Sequence, residues 1–375
     1  MNVADVTLYD HARKQLRDLC GVAGFAPPRD ASDDLLAQLL GSAATQRLSD
    51  TPRYLSDVAD DGTPLEFSLA FDAAGGQAVR ILGETCAENP GLAANAQAGL
   101  GVFRNLARSL GSPLDRLEAV ADLFLPADPV GLFSLWYSLI LRPDAAPKLK
   151  VYLNPAVRGP GRDRDLVRKG LARLGLADAY ESISEYALRR GERDRFSFFA
   201  LDLDDSPLSR VKLYVSHDSA RPADVEHAAA AVADVDSLQV RRFCHLLGGM
   251  EGPFTGRPLI SSYSFVEATS AVPGNYSLYL PIRDYVPDDE AARARVLDFL
   301  AQSEFEQPEL DKALRAVSSR PLHEGVGLIA HVSLRLGGFG TGTTVYLSSE
   351  AYGVTRPRGA AVAGSTETQK PRGAA

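Results

Sequence analysis

The chain has 375 residues, with 40 Lys and Arg against 48 Asp and Glu, a net charge of −8, 45% hydrophobic and 23% charged residues. That balance is ordinary for a globular protein; an acidic chain is a poor ligand for a phosphate backbone, which excludes nucleic acid as the expected partner. No apolar run approaches the ~20 residues of a membrane span, the start MNVADVTLYDHARKQ lacks a signal-peptide pattern, and Cys20, Cys86 and Cys244 lie too far apart to suggest a disulfide framework, so the expected location is the reducing cytoplasm. Thirteen tyrosines accompany a single tryptophan.

Along the chain, two helical stretches followed by two strands recur five times. The strand pairs read as 65–71 with 78–83, 134–142 with 148–155, 196–203 with 210–216, 260–268 with 275–283, and 327–336 with 343–349, each pair split by a Gly-, Pro-, Asp- or Ser-rich turn. Helical spacing covers 163–190, 288–302 and 308–317, with acidic residues near the starts, where a helix dipole favours them. Aligning the second strands by their alternation makes Arg80, Lys150, Lys212, Ser277 and Thr344 equivalent, a repeat of roughly 65 residues that is longer than a typical solenoid unit. Ten strands joined by short hairpins predict an antiparallel α+β barrel with helices outside, closure removing the exposed edges of an open sheet. Five such units account for residues 1–353 as one domain, and the small, polar, Pro- and Gly-rich stretch 354–375 reads as a disordered tail.

Each second strand has one aliphatic face (Val79 and Ile81; Leu149, Val151 and Leu153; Val211, Leu213 and Val215; Leu278 and Leu280; Val345 and Leu347), expected against the helices. The opposite face carries Arg80, Lys150, Tyr152, Asn154, Arg210, Lys212, Tyr214, Ser277, Tyr279, Thr344 and Tyr346. An ordinary solvent face would mix charge signs, because like charges repel across strands. Here the charges are all positive, with tyrosine two places beyond the cation in two strands, which favours a lumen built for a multiply charged anion such as a diphosphate. Aromatic faces next to it suit an allylic cation, stabilising it by ~0.5–2 kcal/mol per ring and shielding it from water. Glu66 shares its face with Ser68 and Ala70. It is either a salt-bridge partner of the cations or the acceptor of an aromatic N–H.

The motifs TPLEFSLAF, KVYLNP, SRVKLYV, YSLYLPIRDY and GVGLIAHVSL with TTVYLSSEAY resemble the indole prenyltransferases of the dimethylallyltryptophan synthase type, most of all their bacterial, tryptophan-prenylating branch, over about residues 50–352. The resemblance implies the ABBA prenyltransferase barrel of five ααββ units, transfer of dimethylallyl from dimethylallyl diphosphate to L-tryptophan or a close indole, and a place in secondary metabolism such as alkaloid biosynthesis. It also implies no obligatory divalent metal and a monomer or homodimer. By position, Glu66 resembles the family's glutamate on the indole N–H. Arg80, Lys150, Arg210 and Lys212 resemble its diphosphate cations, and Tyr152, Tyr214, Tyr279 and Tyr346 its tyrosine shield. Three positions depart: Ser277 where fungal members carry Gln, His331 where a further shield tyrosine is expected, and Asn154 where a tyrosine meets the amino-acid end of the substrate. The family's second base, usually a lysine, has no match. Two other readings remain open: the same barrel acting on a phenol or an indole-containing peptide, and a non-catalytic barrel holding an anionic amphiphile.

Competing signals are weak. The aspartate pairs lack a third acid at D-D-x-x-D spacing, Asp202-Leu203-Asp204-Asp205 falls into a turn where Asp is favoured anyway, and the six histidines show no zinc spacing. Gly337, Gly338, Gly340 and Gly342 lie between two strands, whereas a dinucleotide loop runs from strand into helix.

Overall fold

A computed structural model describes residues 6–26, 29–72, 77–233, 235–266, 271–303, 309–338 and 340–358. Most of the stretch read as a tail, 359–375, lies outside them. Ten strands form one closed antiparallel barrel: β1 Leu65–Asp72, β2 Gln77–Gly83, β3 Leu135–Leu141, β4 Lys148–Leu153, β5 Asp194–Asp202, β6 Val211–His217, β7 Leu259–Phe265, β8 Asn275–Leu280, β9 Ile329–Gly337 and β10 Gly342–Ser348. Every strand pairs with its neighbours in sequence, and β1 closes on β10 with Glu66 opposite Ser348 and Ala70 opposite Thr344. All five expected hairpins are present, and helical segments precede each one.

The aliphatic faces point outward into the helices. Val79, Ile81, Val151, Leu153, Leu213, Val215, Leu278, Leu280 and Leu347 are completely buried there. At about 1.5–3 kcal/mol for each fully buried aliphatic side chain, this layer fixes which way every strand faces, because a one-residue slip would exchange the two faces.

Local chemistry explains where elements start and stop. Thr7 caps the helix Leu8–Val22 in a capping box with Asp10, and Asp288 caps Asp289–Ala301 by accepting from the Ala291 N–H. The stretch 163–190 is two helices, Asp163–Arg173 and Ala179–Ala187, divided where Gly175 takes a left-handed φ of 74°. The fourth hairpin ends earlier than 283. Pro281 has no N–H to continue the ladder, so β8 stops at Leu280 and Ile282–Asp284 forms a 3-10 turn that carries Arg283 to the rim of the barrel. Two bulges interrupt the alternation, one at Phe196/Phe198 and one at Tyr346/Leu347. The first turns Phe196 outward into the core while Phe198 stays inside.

Candidate functional site

Register places the inward residues in layers. Arg80 faces Ser68 and Ile140, Lys150 faces Ser138 and Asp202, and Lys212 faces Ala200 and Ser264. Lys150 and Lys212 are buried at 5% and 6% exposure. Lys150 Nζ donates to the Tyr214 hydroxyl at 3.0 Å and lies 4.5 Å from the centroid of the Tyr152 ring; Lys212 Nζ lies 5.1 Å from that of Tyr214. Burial pushes the Lys150 ammonium down to about 7; Asp202 opposes the shift, while Arg210 and Arg80 add to it. Lys212 is also held well below the usual ammonium range, by burial and then by Lys150 and Arg210. Arg80 Nε is buried with no hydrogen-bond partner. These are cations short of counter-charge.

The cluster is not of one sign, however. Asp202, the last residue of β5, shares the inward face with Lys150 and forms an ion pair with Arg210, Oδ2 to Nε 2.6 Å. Arg210 precedes β6 and lines a separate cavity of about 280 Å³ with Arg142, Lys148 and Asp204. The turn reading of Asp202–Asp205 therefore holds for Asp204, which accepts from the Ser206 N–H, and fails for Asp202, which the pleat turns inward. Among the described residues, Arg80, Lys150, Lys212 and Arg210 face one carboxylate, Asp202, an excess of three positive charges when all are ionised.

Next to the cations lies an arc of tyrosines. Tyr152 and Tyr214 have ring centroids 5.9 Å apart, Tyr214 and Tyr279 5.7 Å, and Tyr279 and Tyr346 5.9 Å. His331 extends the arc, edge-on to Tyr346 at 6.2 Å. These four tyrosines come from the second strands of four successive hairpins, so one repeated register builds the whole arc. The pairs Tyr263 and Tyr276 face the other way, their hydroxyls bound to helix carbonyls at Ala228 and Val225.

Beyond the arc is a half-open cavity of about 110 Å³, lined by Glu66, the four tyrosines, Trp136, Phe198, Arg257, Arg283 and His331. Glu66 is 4% exposed, and no Lys or Arg of the described residues comes within ion-pair distance of it, which removes the salt-bridge reading. Burial raises its carboxyl to about 8, with Arg283 opposing and Asp60 reinforcing the shift. His331 is held well below the usual imidazole range by burial, then by Arg283 and Arg257. Arg283 Nε lies 3.3 Å from Asp60 Oδ2, close enough for an ion pair but not aligned for a hydrogen bond; Arg257 bridges Asp60 and Asp284 at 2.6 and 2.9 Å.

Two other expected positions resolve differently. Ser277 does face inward, paired with Ser262 and Arg335, which adds a cation to that wall. Asn154 does not reach the cavity. Its Oδ1 accepts from the Ala156 N–H at 2.8 Å and its Nδ2 donates to the Phe133 carbonyl at 2.7 Å, so it closes a turn after β4. Sequence reasoning missed Trp136 and Phe198, although the alternation that placed the second strands extends to them: Trp136 pairs with Tyr152, and Phe198 with Tyr214. It also missed Arg257 and Arg283, which sit outside the strands and leave no periodic signal. No group of three or more His, Cys, Asp or Glu among the described residues is placed to hold a metal ion. None of their helices is long and apolar enough to cross a membrane.

The family model for tryptophan dimethylallyltransferase matches residues 32–312. A 6-dimethylallyltryptophan synthase from Micromonospora olivasterospora, solved with DMASPP and Trp, is 46% identical; the match covers 94% of this chain and 100% of that one, with a TM-score of 0.89. A 5-dimethylallyl tryptophan synthase from Streptomyces coelicolor, also with DMASPP and Trp, is 34% identical over 98% and 100% of the chains, TM-score 0.87. Prenyltransferase PriB, bound to L-tryptophan and dimethylallyl thiolodiphosphate, is 37% identical over 94% and 99%, TM-score 0.86.

Proposed function

This chain belongs to the tryptophan dimethylallyltransferase family and is a prenyltransferase, and we propose that its barrel divides transfer from dimethylallyl diphosphate to the indole of L-tryptophan between two ends of one lumen. The diphosphate binds Arg80, Lys150 and Lys212, with Arg210 contributing through its ion pair with Asp202. Charge-assisted donors aimed at the leaving group stabilise the negative charge that develops as the allylic C–O bond breaks. Tyr152, Tyr214, Tyr279 and Tyr346 surround the resulting cation with π-faces and exclude the water that would quench it. The indole lies in the adjoining cavity with its N–H on Glu66. Hydrogen bonding to that N–H favours the ionised carboxylate and enriches the ring as it attacks.

A single observation carries this reading. A cluster of buried cations with one carboxylate among them lies directly against an unbroken arc of four tyrosines. Protein cations supply the charge a metal would otherwise bring, so no obligatory divalent ion is needed. The test is one incubation with L-tryptophan and dimethylallyl diphosphate, with and without EDTA, read by mass spectrometry and NMR. A mono-prenylated tryptophan in both arms is expected. No product with any indole sinks the proposal, and loss of product in EDTA alone removes its metal-free part.

A further inference from the structure

Carbon prenylation leaves a proton to remove. When an indole carbon supplies its π electrons to the allylic cation, the ring becomes a cation with one tetrahedral carbon bearing both hydrogen and the new group. Aromaticity returns when a base takes that proton and the C–H electron pair re-enters the ring. The base must stand where the cation cage meets the acceptor cavity, because that is where the new bond forms.

Among the described residues, the cavity lining holds one neutral nitrogen base at that boundary. His331 lies on β9 directly across from Tyr346, the end of the tyrosine arc, and lines the same cavity as Glu66. The register shifts immediately beyond this pair, with Ala330 as the extra residue, so a bulge sets the angle at which the imidazole enters the lumen. We propose that His331 is the catalytic base that removes the ring proton after carbon–carbon bond formation; this rests on the prenyl-transfer reading above. The imidazole lone pair accepts the proton, giving imidazolium, which returns that proton to solvent once the product has left the lumen.

Of the other lining groups, all but Asp57 are unsuited. The tyrosines are neutral phenols, and burial makes Tyr152, Tyr214 and Tyr346 harder still to ionise. Arg257 and Arg283 offer only donors and are engaged by Asp60. Glu66 serves the indole nitrogen. Asp57 lines the same cavity as His331; its neighbour Val58 packs with Phe133 and Trp136 on the β3 side of the lumen, four strands round the barrel from β9, and the Asp57→Asn variant tests it as the rival base. Burial and the two arginines keep His331 unprotonated at neutral pH. The prenylated ring cation is a far stronger acid than imidazolium, so transfer runs downhill even to so weak a base.

The test uses tryptophan deuterated on the benzenoid and pyrrole carbons. In the unaltered enzyme, ionisation of the diphosphate is expected to limit turnover, with a deuterium effect on kcat near one. His331→Gln is expected to lower kcat about 100-fold, the scale of a lost general base, while leaving affinity for the thiolodiphosphate analogue unchanged. The same variant should raise the deuterium effect above about 2, because proton removal now limits the rate. His331→Ala should recover part of its rate with added imidazole. Unchanged kcat in both variants overturns the proposal, as does a lowered kcat with a deuterium effect still near one, or a deuterium effect exposed by Asp57→Asn instead. A product linked through nitrogen also overturns it, since that proton would leave through Glu66, whereas no product from the unaltered enzyme defeats the transfer reading itself. Thermal unfolding of each variant separates loss of the base from loss of the fold.

Discussion

The two ends of the lumen solve opposite electrostatic problems. At the floor, Lys150 and Lys212 are buried cations whose ammonium groups are pushed down by desolvation and by neighbouring cations, Arg210 and Arg80 for both and Lys150 as well for Lys212. At the mouth, Glu66 is a buried carboxyl pushed up to about 8, and His331 is an imidazole kept neutral. Each end holds groups in the protonation state that its surroundings, rather than water, dictate, and each is relieved by a different guest: an anion at the floor, an N–H donor at the mouth. The ends also differ in origin. The floor and the tyrosine arc are two successive inward register positions repeated through the hairpins, while the mouth is assembled from β1, β3, β9, a 3-10 turn and the loop before β7. Charge for the leaving group comes from the repeat; discrimination of the acceptor comes from what departs from it.

Emptying the floor of charge should have the largest effect. Lys150→Met with Lys212→Met keeps volume and removes both ammonium groups; turnover should fall about 10³-fold, since loss of even one such donor costs 10²–10³. Affinity for the thiolodiphosphate analogue should fall with it while tryptophan binding stays. Full turnover in the double variant would break the assignment of the floor. At the mouth, Glu66→Gln should lower turnover about 100-fold and leave diphosphate binding intact. It should also stabilise the empty protein in a defined pH window. The folded carboxyl sits near 8 against about 4.5 unfolded, so its folding penalty is absent below pH 4.5, grows above it and is complete beyond pH 8. The Tm of Glu66→Gln should equal that of the unaltered protein at pH 4 and exceed it at pH 8. Equal values at both would show that Glu66 is not desolvated.

The same contrast explains what the sequence disclosed. Alternation with period two assigned the inward faces of the second strands, and those strands supply Arg80, Lys150, Tyr152, Lys212, Tyr214, Tyr279 and Tyr346 in their observed places. Asn154 failed because the pattern was carried one residue past the end of β4, into a turn whose backbone needed its side chain. Asp202 was taken for turn chemistry because it stands next to turn residues, yet the pleat decides its direction. Trp136 and Phe198 were readable from the first strands, whose alternation went unused, and Trp136, the only tryptophan, is stacked on Phe133 at 4.2 Å on the lumen wall. Arg257 and Arg283 were not readable. Their approach to Glu66 and His331 depends on where Pro281 ends β8 and on the ion pairs of Asp60, and neither fact has a period.

A smaller perturbation tests whether the floor answers to pH as its crowding requires. An alkyl diphosphate has lost its last proton well below pH 7.5, its second pKa being about 6, so any change in its affinity between pH 7.5 and 9 belongs to the protein. Lys150 titrates near 7 in the empty lumen, and a bound diphosphate raises that value by favouring the ammonium. Binding above pH 7 therefore takes up a proton, and affinity for the thiolodiphosphate analogue should weaken by up to tenfold per pH unit. Calorimetry in two buffers of different ionisation heat should show that uptake, and a flat profile without uptake would place Lys150 outside the anion site.

Tyr214→Phe should produce the smallest change and connects floor to arc. The hydroxyl accepts from Lys150 Nζ at 3.0 Å, so its loss removes a partner of the charged ammonium worth about 0.5–1.5 kcal/mol, while the ring remains for the allylic cation. Affinity for the analogue should drop roughly two- to tenfold, and the pH at which it begins to weaken should move lower, because the ammonium in the empty lumen has become harder to keep. The ratio of prenylated product to water-quenched allylic alcohol should stay the same. A changed ratio with unchanged affinity would instead assign the hydroxyl to the cage and separate Lys150 from it.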